Sequence, residues 1–162
     1  MLTGKIIRLK LINNNFITYI KVLPFGKGNT FMFLAIIFFM IIKKRIADLA
    51  TFIAGDATQI KEVFHPKNDQ LPFNYSLAQA SLAVGAASYP HILKKQSELY
   101  VFLRGNAEVF IGEESCKAGA GDIVWVPVGV KQYVRNLGEE ELVFLCIVDP
   151  PWQKEDELIL ED

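Results

Sequence analysis

Between residues 58 and 148 the chain alternates short apolar segments with turn residues. Residues 58–64, TQIKEVF, come close to strict apolar–polar alternation and predict a strand. The stretch HPKND ends it, because Pro66 removes a backbone donor and Asn68-Asp69 favours a turn. The loop runs on to Phe73, and residues 75–84 predict a second strand that turns at Gly85. Further apolar segments follow at 99–103, 107–111, 123–126, 132–135 and 142–148. They end in turn at Arg104-Gly105-Asn106, Gly112-Glu113-Glu114, Pro127-Val128-Gly129, Asn136-Leu137-Gly138 and Asp149-Pro150-Pro151. Short strands about 8–12 residues apart, with no helical pattern between them, predict an all-β sandwich or barrel. Residues 48–55 suit a helical turn or an edge segment. The acidic tail 152–162, WQKEDELILED, suits a short packed helix or an exposed end.

The N-terminal part departs from this pattern. Residues 31–42, FMFLAIIFFMII, form an unbroken apolar run, shorter than the about 20 residues that span a bilayer. Lysine and arginine flank it on both sides, so charge gives no orientation. Its length suits a signal-peptide core, yet Lys43-Lys44-Arg45 follow at once and no small-residue cleavage site does. Three readings of residues 1–39 stand side by side: an extension upstream of a natural start at Met40, a membrane anchor or hydrophobic tail, or a buried element. The division expected is a hydrophobic extension over 1–39 and a single barrel domain over 40–162.

Composition narrows the class. The 162 residues suffice for one domain with a sizeable core. A net charge of -1 offers no basic field for nucleic acid and no acidic block for a disordered tail. Cys116 and Cys146 lie outside any C-x-x-C pair, which favours free thiols in a reducing cytoplasm over a disulfide. A membrane partner is expected only if residues 1–39 are an anchor.

Two stretches carry the chemistry. The first, residues 85–105, reads GAASYPHILKKQSELYVFLRG; the second, residues 121–136, reads GDIVWVPVGVKQYVRN. They resemble the paired motifs of the cupin family. In the first motif Gly85, His91, Glu98 and Gly105 fall on the family's places, with Leu93 where a second His belongs. In the second, Gly121, Pro127, Gly129 and Asn136 match, with Gln132 where a His belongs. The resemblance implies a double-stranded β-helix, or jelly-roll, barrel over about residues 55–150. One motif pair implies a single barrel, and such members usually form homodimers.

In a strand His91 and Leu93 face the same side, so the resemblance turns both toward the barrel interior. It further implies a divalent metal held by His91, Glu98 and Gln132. One imidazole nitrogen and two oxygens tolerate manganese, iron, zinc or nickel without choosing among them. The same three residues also suit a buried polar cluster in which each satisfies the others. His65 reads mainly as a loop histidine capping the turn before Pro66, with a place at the pocket mouth as the alternative, and Lys94 and Lys95 as loop lysines near that mouth. Tyr100, Phe102, Trp125 and Tyr133 read mainly as core. No serine-nucleophile elbow is present. The function expected is a metal-binding barrel holding a small polar molecule, sugar-like or a carboxylate. If it is an enzyme, the resemblance implies isomerase, lyase or dioxygenase chemistry at the metal. The alternative is a metal-free small-molecule binding or sensing barrel.

Overall fold

The computed structural model describes residues 41–160 in full and, before them, the backbone of two strands, β1 (Lys5–Leu9) and β2 (Thr18–Val22). These two pair antiparallel, Lys5 opposite Val22 and Leu9 opposite Thr18. They belong to a compact unit, Met1–Lys44, separate from Arg45–Asp162. The apolar run up to residue 40 lies outside the described residues, and with it the three readings of the N-terminal extension. Among the described residues no helix is long and apolar enough to cross a membrane.

The second unit is built of strands. After a short helical turn at Ile46–Asp48 come β3 (Phe52–Ile53), β4 (Gln59–Phe64) and a single helical turn α1 (Pro66–Asp69). Then follow β5 (Ser76–Leu82), β6 (His91–Leu93), β7 (Ser97–Arg104), β8 (Asn106–Ile111), β9 (Glu114–Gly119), β10 (Ile123–Val126), β11 (Lys131–Asn136), β12 (Leu142–Asp149) and β13 (Glu157–Ile159). They form a six-stranded sheet in the order β10-β7-β12-β5-β4-β3 and a five-stranded sheet in the order β13-β6-β11-β8-β9. All pairings are antiparallel. This is the all-β architecture that the spacing of apolar segments predicted, in the jelly-roll form that the motif resemblance implied.

Alternation decides which residues enter the core. On β7 Glu98, Tyr100 and Phe102 are buried while Leu99 and Val101 between them are half-exposed. On β12 the inward row is Leu142, Phe144, Cys146 and Val148, and on β11 it is Gln132, Val134 and Asn136. Tyr100, Phe102 and Phe144 pack ring on ring, with centroids 5.3–6.3 Å apart. Val109 and Val134 close the core from the other sheet, each with 1% exposure or less. Trp125 and Ile123 project outward from the edge strand β10 and stay largely exposed. Tyr133 lies on the outer face of the five-stranded sheet, stacked on Phe110 at 4.1 Å.

Turn residues behave as backbone devices. Gly105 has φ +86°, and an added Cβ would lie 3.0 Å from the Leu142 Cα, so both conformation and space demand glycine there. Asn136 is buried, and its Nδ2 donates to the carbonyls of Leu82, Ala83 and Glu140 while its Oδ1 accepts from the Gly138 amide. One side chain thus ties the turn after β5 to the loop between β11 and β12.

Two strands lack an apolar signature. β9, ESCKAG, is an edge strand joined to β8 by the two-residue loop Gly112-Glu113. Gly112 has φ +62°, as a tight hairpin with glycine first requires. The tail is neither a packed helix nor a free end. It forms a short helical turn at Lys154–Asp156 and then β13, which pairs with β6 so that Ile159 lies opposite His91.

Phe102 is 1% exposed at the centre of the aromatic cluster, so Phe102→Ala leaves a large void. The expected loss is about 3–5 kcal/mol of unfolding free energy, measured by urea denaturation.

Candidate functional site

A cavity of about 330 Å³ opens inside the barrel, with walls drawn from both sheets. His91 and Leu93 reach it from β6, Glu98 and Tyr100 from β7, and Cys146 from β12. The apolar position 93 makes one wall hydrocarbon, as Leu93 implied.

The three residues matching the family's ligand positions do come together. Gln132 lies opposite His91 in the β11–β6 register, on the same face of the five-stranded sheet. Its Nε2 donates to Glu98 Oε2 at 2.9 Å, across the barrel on the other sheet. Its Oε1 accepts from the Tyr100 hydroxyl at 2.8 Å. Both ends of the amide are therefore engaged. Gln132 is 1% exposed and is not part of the cavity wall, unlike Glu98 and Tyr100, which are. The Cys146 thiol and the Glu98 carboxyl interact on the same cavity wall.

Burial dominates the electrostatics here. It pushes the Glu98 carboxyl above the usual carboxylate range; His91, the Cys146 thiol and the Gln132 amide pull it partly back. Burial, with Glu98 nearby, likewise pushes the Tyr100 hydroxyl and the Cys146 thiol well up, so both stay protonated at neutral pH.

His91 is held from behind. Its Nδ1 lies 3.0 Å from the Tyr89 carbonyl. A carbonyl only accepts, so Nδ1 carries the proton, and in the neutral ring Nε2 is the acceptor. Asp56 stands near the same nitrogen, with Oδ2 at 3.9 Å. Asp56 itself is set by Thr58, whose amide and hydroxyl donate to it at 3.1 and 2.7 Å. The Tyr89 amide in turn donates to the Asp56 carbonyl at 2.7 Å, so the turn at 54–58 braces the loop that carries His91.

His65 is more than a turn residue. It occupies the position before α1, but its side chain makes no cap there. The ring is 5% exposed and lines the cavity, with Nε2 3.0 Å from the Trp152 carbonyl. Lys94 and Lys95 do not line the cavity. Lys94 Nζ donates to the Glu155 carbonyl, and Lys95 pairs with Asp156 at 2.7 Å. Gln96 also donates to Asp156 at 2.9 Å. These contacts pin the tail, which lends Trp152, Lys154 and Glu157 to the cavity wall. Burial, reinforced by nearby Asp56, raises the Glu157 carboxyl, while His91 lowers it.

The sequence reading missed Asp56, Glu157 and Trp152 as site residues. Asp56 looks like any turn aspartate before a threonine, and Glu157 sits in an acidic tail. Cys146 was legible in principle, since it alternates with Phe144 and Val148 on one strand. Cys116 and Cys146 are both free.

The donor set does not suit a cation held by His91, Glu98 and Gln132 together. Turning the Gln132 oxygen to a metal would strip the buried Tyr100 hydroxyl of its acceptor and free the amide from Glu98. Among the described residues no group of three His, Cys, Asp or Glu side chains is placed to hold a metal ion.

Comparisons with known proteins agree with the architecture. The cupin domain family model matches residues 78–148. An uncharacterized protein of Methanocaldococcus jannaschii is 31% identical over 121 residues, covering 75% of this chain and 96% of that protein. Among solved structures, a predicted oxalate decarboxylase from Thermotoga maritima superposes with a TM-score of 0.61 at 16% identity, over 67% of this chain and 99% of that one. The nucleoside dehydratase Pac13 superposes with the same TM-score at 15% identity, over 75% of this chain and 92% of that one. At such identities these two structures share the fold.

Glu98→Gln tests the burial of the carboxyl. A folded pKa above the ordinary 4.5 means that the unfolded chain ionises first, so ionisation costs the native state stability as pH rises. The variant should gain stability relative to the parent as pH rises above the ordinary value of 4.5. Urea titrations of both proteins across that range measure the difference; a gap that is flat with pH rejects the buried-carboxyl account.

Proposed function

The chain is a member of the cupin domain family, and on that premise we propose that its barrel binds a small polar organic molecule directly, through its own side chains rather than through a metal ion. The observation that carries this reading is the double engagement of Gln132. The family's last ligand position is spent on Tyr100 and Glu98, behind the cavity wall.

What remains facing the cavity is a set of hydrogen-bonding groups. His91 Nε2 is an acceptor whose orientation the Tyr89 carbonyl fixes. Glu98, biased toward its neutral form, offers a proton or a lone pair. Asp56 and Glu157 add carboxylates, and Leu93 and Phe144 an apolar surface. A pocket with a mostly apolar lining and a few convergent polar groups is the usual form of a small-molecule site. The ligand is sugar-like or a carboxylate in size and polarity.

A second reading keeps a divalent metal, on His91 with Glu98. It is favoured by the carbonyl behind His91, since metal-binding imidazoles are commonly oriented by such a partner. Partnership with a second copy of the chain belongs to this proposal as well, on the family resemblance.

Elemental analysis of the purified protein, beside a His91→Ala control, separates the two. Direct binding predicts far less than stoichiometric metal in both proteins. It also predicts no rise in melting temperature on adding manganese, iron, zinc or nickel. Near-stoichiometric metal that vanishes in His91→Ala would overturn direct binding and establish the metal reading.

A further inference from the structure

Both histidines among the described residues line the same cavity, one at the end of a strand of each sheet. Each is fixed by a main-chain carbonyl on one nitrogen only. His91 gives Nδ1 to Tyr89, and His65 gives Nε2 to Trp152, both at 3.0 Å. Each neutral ring therefore keeps its other nitrogen as a bare acceptor. The His65 Nδ1 is buried and has no hydrogen-bond partner in the protein. Such orphaned buried groups are uncommon in folded proteins, and one on a cavity wall points to a partner from outside the chain.

The acidic side chains of the lining have the same bias. Asp56, Glu62, Glu98 and Glu157 contribute carboxyl groups. Against them Lys154 is the one lysine, and no arginine lines the cavity among the described residues. Burial already pushes the Glu98 and Glu157 carboxyls toward their neutral forms, and the same desolvation would disfavour a ligand carboxylate beside them. Hydroxyl and ammonium groups would instead satisfy the two imidazole nitrogens that nothing in the protein satisfies.

We infer that the cavity selects a hydrogen-bond-donating ligand, a polyol or amine rather than a carboxylate, with His65 Nδ1 and His91 Nε2 as its two imidazole acceptors. This rests on the direct-binding reading and narrows its ligand to one chemical class. His65 becomes a specificity-determining residue rather than a turn histidine.

Three probes sharing one sugar ring test the inference: glucosamine, glucose and glucuronate, titrated near neutral pH into the full chain and followed by amide NMR. The expected order is glucosamine, then glucose, with glucuronate weaker than glucosamine by about tenfold or more. His65→Phe keeps a planar ring and removes both nitrogens, the Nδ1 acceptor among them. It should weaken glucosamine by about tenfold, with the amide spectrum of the free protein otherwise preserved. Glucuronate binding as tightly as glucosamine overturns the selectivity while direct binding stands. Unchanged glucosamine affinity in a folded His65→Phe overturns the role of His65. If none of the three probes perturbs the spectrum at millimolar concentration, direct binding falls and this inference falls with it.

Discussion

The interior of this barrel depends on one hydrogen-bonded chain that crosses it. Tyr100 donates to Gln132, and Gln132 donates to Glu98, so a side chain of the five-stranded sheet is clamped by two from the six-stranded sheet. All three groups are almost wholly buried. Leaving any one of them unpaired in that setting costs about 1–3 kcal/mol, so the three hold one another in place. An apolar residue at position 132 would leave both neighbours orphaned. Histidine there would keep two ring nitrogens but lose the amide's fork of donor and acceptor. The constraint explains how a motif position associated with metal ligands serves here as a clamp behind the cavity wall.

From that clamp outward, the cavity is assembled by segments that carry little apolar signal. The turn at 54–58 holds Asp56 through Thr58 and braces Tyr89, which orients His91. The tail is fastened by Asp156 to Lys95 and Gln96 and by the Leu160 amide to the Pro90 carbonyl. The Trp152 amide donates to the Ser76 hydroxyl, and its carbonyl accepts from His65. Residues before the first motif and after the second thus close the site that the motifs begin. The polar groups they contribute are chiefly acceptors, which sets the character of the cavity as much as His91 and Glu98 do.

Much of the barrel was legible before any coordinates. Short apolar segments at residues 99–103, 107–111, 123–126, 132–135 and 142–148, each closed by turn residues, report an all-β fold, and strands occupy all five places. Gly105 and Asn136 were legible because a positive φ or a multiply bonded turn restricts residue choice locally. The spacing of His91, Glu98 and Gln132 told which side chains would meet inside. It did not tell that Gln132 would face Tyr100 as well as Glu98, nor that it would sit behind the cavity surface.

What the sequence determined by itself was the all-β class, most of the central strands and, through the spacing of the motifs, the grouping of His91, Glu98 and Gln132, since apolar segments and turn stereochemistry are local signals, whereas Trp125 and Tyr133, read mainly as core, lie on outer faces. The tertiary structure alone decided how the motif residues are used. His65 and Trp152 are 87 positions apart, and Gln96 and Asp156 are 60 apart. Contacts of that range leave no local pattern, because their cost in chain entropy is met by the packing of the whole barrel rather than by neighbouring residues. The upward push of burial on the Glu98 carboxyl, the free nitrogens of two imidazoles and the acidic side chains of the lining all arise from such contacts, and they are the features that define the site.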